Sequence, residues 1–286
     1  MMTKSKHILV HLHLYYINQL DEILARLQNL QELKFDLYVT MIEKSPAAEQ
    51  KIKQFKPDAH ILQLENKGYD IGPFMEVLHS LDLDKYNYLL KIHTKGTTAQ
   101  NYTRINGKRF SNKLWSRLLY EALLADRQRV LSNLQLLETN NIGMLSSTYL
   151  ITDDKKLYRQ FLPQINGILQ AESLPQVDTF SFVAGTMFWA KASLFKPLQK
   201  YRLADFPVTD GKIKEGTPAH CFERLFGAVV QAQGYKLHGV KSFDEIWHFT
   251  LNEFKRFVFY KKHTKSGKLL VKICKIPIWT QKINKD

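Results

Sequence analysis

Cysteine is nearly missing from this chain: Cys221 and Cys274 are the only two in 286 residues. A disulfide-stapled scaffold is thereby excluded, and the pair has no spacing that would ligate a metal, so free thiols in the cytosol are expected. Long apolar runs are missing too. No window approaches the ~20 apolar residues a membrane-spanning helix needs. The apolar stretch near the N-terminus, H-I-L-V-H-L-H, is too short and too polar for a secretory signal. There is no internal repeat and no low-complexity tract. Acidic residues are few, with 27 Asp and Glu against 41 Lys and Arg, a formal charge of +14. Ten of those cations, against one Asp, crowd between Lys255 and Asp286. A nucleic-acid binder would carry its basic residues as a stripe across the fold. The crowding disfavours that class, and no nucleic-acid partner is expected.

What remains is ordinary globular material, 44% hydrophobic and 24% charged, long enough for a full core. Strand and helix patterns alternate. His7–Tyr15 reads as a strand, and Ile17–Leu30 follows with a helical stripe. Phe35–Ile42 is a second strand, and Ala47–Phe55 a helix opened by Ser45-Pro46. His60–Leu64, a helix over Pro73–Leu81 and a strand over Tyr86–Ile92 come next. Ser111–Leu137 reads as one long helix or a pair, Asn141–Ser146 as a strand, Lys155–Leu169 as a helix and Phe182–Ala190 as a strand. Pro218–Gln233 is a helix closed by Gly234, and Leu237–Val240 a last short strand. This order predicts an α/β fold with a mostly parallel sheet covered on both faces. Thr97–Gly107 is polar and is expected to be a mobile loop.

Ligands of open α/β sheets bind outside the carboxyl ends of the strands, and two strands here end in polar turns. E-N-K-G-Y-D-I-G-P-F at 65–74 combines Lys67, Asp70, Gly68 and Gly72 at the start of a helix whose N–H groups face back. K-I-H-T-K-G at 91–96 sets His93 and Lys95 on one face, able to neutralise a phosphate, with Thr94 as a neutral donor. A plain β-α turn and a solvent-facing basic turn are the bland alternatives; together the motifs favour a site. His11, His13 and Tyr15 share a strand face that lines the crevice or packs under a helix. In F-V-A-G-T-M-F-W-A-K at 182–191, Gly185 and Thr186 interrupt a strand, and Trp189 is either a stacking face for a sugar or core. His220 and Glu223 share a face in the first turns of a late helix, where a carboxylate serves as a general base or as a cap.

This layout resembles the GT-A-fold, Rossmann-like glycosyltransferases that use nucleotide sugars. More narrowly, the blocks H-L-H-L-Y-Y, E-N-K-G-Y-D-I-G-P-F, L-L-K-I-H-T-K, F-V-A-G-T-M-F-W-A-K and A-H-C-F-E-R-L-F-G resemble those of the rhamnan synthesis protein F family of bacterial surface polysaccharide assembly. The resemblance covers about residues 7–240. It implies an inverting transferase domain over 1–240, moving L-rhamnose from dTDP-L-rhamnose to a lipid-linked glycan. Glu223 would be the base; His11, His13, Tyr15, Lys67, Asp70, Gly72, His93, Thr94 and Lys95 would hold the donor. Gly185, Thr186, Trp189 and His220 would face the acceptor. Strand four ends in H-T-K where such enzymes carry a metal-binding aspartate motif, which speaks against a bridging Mg or Mn, and no metal ligand is assigned. A longer stretch before the base leaves Asp210 and Glu215 without assigned contacts. Alternatives are a UDP-hexose donor or a non-catalytic glycan- or nucleotide-sugar-binding subunit. The basic, aromatic tail 241–286 is expected to be helical and to rest on an anionic membrane, making the protein cytoplasmic and peripheral on the inner face of the cell membrane.

Overall fold

The first strand, β1 (His7–Leu14), is buried from its second residue to its last, as a strand covered on both faces must be. A computed structural model describes residues 6–96, 102–105, 108–139, 141–153, 159–209, 216–242, 251, 254, 258–263, 268–274 and 276–282. They divide into two units, 1–240 and 241–286.

In the first unit, β1 is followed by α1 (Leu20–Leu27), β2 (Lys34–Met41), α2 (Pro46–Phe55), β3 (His60–Gln63), α3 (Ile71–His79) and β4 (Tyr88–His93). Then come β5 (Tyr102–Ile105), β6 (Lys108–Ser111), α4 (Asn112–Leu124), α5 (Arg127–Glu138), β7 (Ile142–Ser147) and β8 (Ile151–Asp153). The unit closes with α6 (Leu162–Ala171), β9 (Ser181–Val183), β10 (Phe188–Lys191), α7 (Pro218–Ala232) and β11 (Lys236–Val240). Local chemistry sets several boundaries. Ser45 Oγ accepts from the Ala48 N–H ahead of Pro46, starting α2. Asp126 accepts from Arg129 N–H and so splits the long amphipathic stretch into α4 and α5.

Seven strands form one sheet in the order β11-β7-β10-β4-β1-β2-β3, parallel except for β10, which runs against both β4 and β7. This is a mostly parallel, Rossmann-like sheet flanked by helices. Phe74 of α3, Phe188 of β10, Phe195 of the short helical turn Ala192–Leu198 and Phe226 of α7 interlock against it, with ring centroids 5.5 Å apart for Phe74–Phe226 and 5.6 Å for Phe188–Phe195. Each such buried ring contributes ~1.5–3 kcal/mol, so the cluster pins α3 and α7 to neighbouring strands.

Three expectations are corrected. The strand expected over 182–190 is two: β9 pairs with β8 outside the main sheet, while β10 enters it. Gly185 at φ 96 and Thr186 at φ 50 turn the chain between them. Within 97–107, residues 102–105 pair antiparallel with 108–111 as a hairpin; the rest of that stretch lies outside the described residues. The tail is not helical over its last described stretch. In the second unit β12 (Phe259–His263), β13 (Lys268–Ile273) and β14 (Ile276–Lys282) form an antiparallel meander. Pro277 lies on the edge strand β14, where a proline is tolerated. Among the described residues no helix is long and apolar enough to cross a membrane.

Candidate active site

Strands β1 and β4 lie side by side at the middle of the sheet with His13 level with His93. Past their carboxyl ends opens a cavity of about 380 Å³, lined by His13, Tyr15, Tyr69, Asp70, His93 and Lys95 among others. A second cavity of about 180 Å³ shares Tyr69, Asp70 and Lys95 with it and adds Trp115, Gly185, Thr186, His220 and Glu223. The Gly68–Asp70 turn makes this possible. Gly68 and Tyr69 are both left-handed, at φ 67 and φ 56, and the Gly68 N–H donates to Pro207 O (3.2 Å) and Thr209 Oγ1 (3.0 Å). The turn is thus bolted to the 206–209 segment, which sets Tyr69 against both cavities.

Asp70 is the hub. Its carboxylate accepts from the Lys91 ammonium and the Thr186 hydroxyl, and lies 3.7 Å from His93 Nε2. Burial works to raise its pKa, but His93, Lys91 and these hydrogen bonds outweigh it and hold the acid far below the usual carboxylate range. Lys91, fully buried, also donates to Thr186 O (3.0 Å) and Oγ1 (3.2 Å). These contacts hold Thr186 in a left-handed conformation that a β-branched residue rarely adopts. Burial lowers the Lys91 pKa, with Asp70 opposing.

Burial pulls the His93 pKa down to about 4 despite Asp70, while its two ring nitrogens face carbonyl oxygens, Thr94 O (2.9 Å) and Gly185 O (2.8 Å). Lys95 borders both cavities beside it. Thr94 joins strands rather than presenting its hydroxyl to solvent: its Oγ1 accepts from Tyr15 N–H (3.0 Å) and Tyr16 N–H (2.9 Å). His13 is buried with its pKa pulled to about 3, chiefly by desolvation. Its Nδ1 lies 3.0 Å from Thr40 Oγ1. Its Nε2 meets no partner among the described residues, although His13 borders the larger cavity.

Glu223 sits in the second turn of α7. Its Oε1 accepts from the Gly185 N–H (2.9 Å) and its Oε2 from Arg224 Nη1 (2.7 Å). Arg224 is wedged against Phe161 and Phe182. His220 belongs to the helix cap, with Nδ1 2.6 Å from Thr217 Oγ1 and 3.3 Å from Thr217 N. A nitrogen that accepts there leaves the ring proton on Nε2.

The structure therefore gathers His13, Tyr15, Asp70, His93, Thr94, Lys95, Gly185, Thr186, His220 and Glu223 around two adjoining cavities. Four expected residues stand elsewhere. His11 lies a layer deeper, 5.4 Å from the Phe74 ring. The Lys67 ammonium pairs with Glu65 at 2.6 Å. Gly72 serves its own turn, since a Cβ there would lie 2.2 Å from Lys67 O. Trp189 is core, its Nε1–H donating to Leu123 O at 3.1 Å. Residues the sequence reading missed are Lys91, Tyr69, Arg224 and Trp115. Lys91 had a signal, being the one charge inside an otherwise apolar strand; Trp115 had none, since its helix is placed only by the tertiary fold.

A divalent metal does not fit the described residues. The Asp70 and Glu223 carboxylates are committed to cations and hydrogen-bond donors, and no group of three or more His, Cys, Asp or Glu among the described residues is arranged to hold a metal ion. Asp210 and Glu215 lie outside them.

Fold and site define a Rossmann-like α/β protein with a cleft of buried and half-buried charge at the carboxyl ends of its central strands. The chain belongs to the rhamnan synthesis protein F family, which it matches over residues 1–235. Two curated relatives, each called uncharacterized protein WxcX and from two strains of Xanthomonas campestris pv. campestris, are 28% and 26% identical over 81% of this chain. The chain spans about a third of their length, 32% in each case. Among solved structures, a 4-diphosphocytidyl-2C-methyl-D-erythritolsynthase from Anaerococcus prevotii aligns over 88% of this chain and 100% of its own, with 11% identity and a TM-score of 0.37.

Proposed function

We propose that the chain is an inverting glycosyltransferase that moves L-rhamnose from dTDP-L-rhamnose onto a hydroxyl of a growing lipid-linked bacterial surface polysaccharide. One observation carries this reading: the Glu223 carboxylate and the Lys95 ammonium line the same cavity, and the larger cavity opens directly beside them. At about 380 Å³ the larger one falls within the ~300–1,000 Å³ of small-molecule sites. It is the place for the nucleotide diphosphate, with Lys95 at its border.

In the reaction, Glu223 takes the proton of the acceptor hydroxyl as that oxygen bonds to the anomeric carbon. The bond from that carbon to the diphosphate breaks on the opposite side, and its electron pair leaves on dTDP. Each Glu223 oxygen has one donor and a carboxylate offers about four lone-pair sites, so an acceptor hydroxyl has a lone pair to bind. Lys95 offsets charge as it grows on the leaving group, an electrostatic contribution to the transition state. In the full chain, Glu223→Gln should lower kcat/KM by ~10²–10⁴ with dTDP binding by calorimetry unchanged; full activity of the variant refutes the assignment.

The same two hydrogen bonds suit a carboxylate retained for structure, which favours a non-catalytic nucleotide-sugar-binding subunit as the second reading. That protein binds the donor without turnover, and a panel of dTDP- and UDP-sugars with product analysis separates the two. The basic, aromatic second unit we assign to the anionic inner face of the cell membrane, where each cation contributes ~1 kcal/mol.

A further inference from the structure

We propose that the smaller cavity is an acceptor subsite for one pyranose ring, that the Trp115 indole is its platform, and that the Lys95 ammonium covers this platform until a donor diphosphate draws it away. The proposal rests on the transferase reading and adds to it a residue, a substrate class and an order of binding.

Trp115 of α4 borders the smaller cavity together with Glu223 and His220. Its ring is fixed: Nε1–H donates to Ala184 O at 3.3 Å, and a Cβ at Gly185 would come within 2.9 Å of Nε1. At about 180 Å³ the cavity is smaller than the ~300–1,000 Å³ that encloses a drug-sized ligand, which suits one ring of an extended glycan rather than a nucleotide. A rigid indole facing a carboxylate is what a sugar needs, an apolar face for its C–H surface and an acceptor for its hydroxyl.

In this structure that face is taken. Lys95 Nζ lies 3.8 Å from the Trp115 ring centroid. Lys95 also borders the larger cavity, where the diphosphate would sit, and Asp70 and Glu223 act on it only at longer range. An ammonium gains more from a charge-assisted bond to a phosphate oxygen than from a ring face. Donor binding therefore pulls Lys95 off the indole and exposes the platform beside the base. Acceptor binding then depends on the donor, and by linkage the donor binds tighter with acceptor present.

The test uses the full chain, with dTDP or inorganic pyrophosphate as donor probe and methyl α-L-rhamnopyranoside as acceptor probe, followed by saturation-transfer NMR. In the wild type the glycoside should bind at least tenfold tighter with dTDP present. Lys95→Met should bind it equally well with and without dTDP. Trp115→Ala should lose it in both states, while Trp115→Phe, which keeps a ring and guards against misfolding, retains part. Glycoside affinity that ignores dTDP in the wild type, or survives Trp115→Ala, overturns the proposal while leaving the donor site standing. Failure of dTDP and pyrophosphate to bind at all brings down the transferase reading, and this inference with it.

Discussion

Asp70→Asn isolates the electrostatic core of the cleft with almost no change of shape. Lys91 is 0% exposed and Asp70 17%, so the substitution leaves a buried ammonium facing the neutral oxygens of Thr186 at 3.0 and 3.2 Å. Breaking one side of a buried pair costs ~3–5 kcal/mol. The cost has a ceiling, because a lysine can shed its proton instead. Starting from an ordinary lysine pKa near 10.4, that escape costs about 4.6 kcal/mol at pH 7 and about 1.9 kcal/mol at pH 9. The penalty should thus be ~3–4.6 kcal/mol at pH 7, a fall in Tm of roughly 6–18 °C at this chain size. The sign with pH follows. Burial lowers the Lys91 pKa, so the unfolded state binds more protons and the variant regains stability as pH rises. Adding Lys91→Met removes the stranded charge, and the double variant should be more stable than Asp70→Asn alone. Urea denaturation of the wild type, Asp70→Asn and the double variant at pH 7 and pH 9 measures all of this. A penalty below ~1 kcal/mol at pH 7, or one that persists undiminished at pH 9, refutes the buried-pair account.

The two buried histidines make a second pH prediction: desolvation depresses His13 to about 3 and His93 to about 4 from 6.5. Their neutral forms stabilise the fold above pH 6.5. That stability is lost as pH falls toward 4, each ring giving up ~1.4 kcal/mol for every pH step below 6.5. Urea midpoints should drop steeply over that window, less so in His13→Gln; a flat profile contradicts the assignment. Gly72→Ala should lose ~3 kcal/mol or more, because its Cβ would meet backbone at 2.2 Å. Gly167→Ala in α6, with open space around it, should be neutral or gain up to ~1 kcal/mol, and thermal melts compare the two. A chain ended after Val240 should no longer sediment with anionic vesicles; unchanged sedimentation removes the membrane role from the second unit.

Elements whose signal is local were legible. The Ser45-Pro46 start of α2, the Gly234 end of α7 and the polar tips of β1 and β4 each follow from side chains within a few positions. The break in 182–190 was not legible, although Gly185 hinted at it, because the left-handed Thr186 is held by Lys91 and Asp70, far away in sequence. The site shows the same division. Asp70, Lys95 and Glu223 stood out by motif, but His11 and Trp189 share strand faces with cleft or core alike, and period two cannot tell which layer a residue reaches. The meander at 259–282 was hidden by a different ambiguity, since short apolar runs between lysines suit helix and strand about equally well.

The antiparallel strand of the main sheet explains why Glu223 and Lys95 line one cavity. A parallel strand next to β4 would begin at the far edge of the sheet, and the turn before it would lie a full strand length from the cleft. β10 instead runs down beside β4, with Phe188 opposite Lys91 and Ala190 opposite Leu89. The turn that feeds it, Gly185–Thr186, therefore arrives at the carboxyl tips of the parallel strands. There the Gly185 carbonyl meets His93 Nε2 at 2.8 Å while its N–H meets Glu223 Oε1 at 2.9 Å. One residue's backbone thus ties the acid on α7 to the tip of β4. If that link sets the distance between Glu223 and Lys95, Gly185→Ala, whose Cβ would press on Trp115 at 2.9 Å, should depress kcat far more than dTDP binding. Equal losses in both would mean that the turn only holds the cleft together.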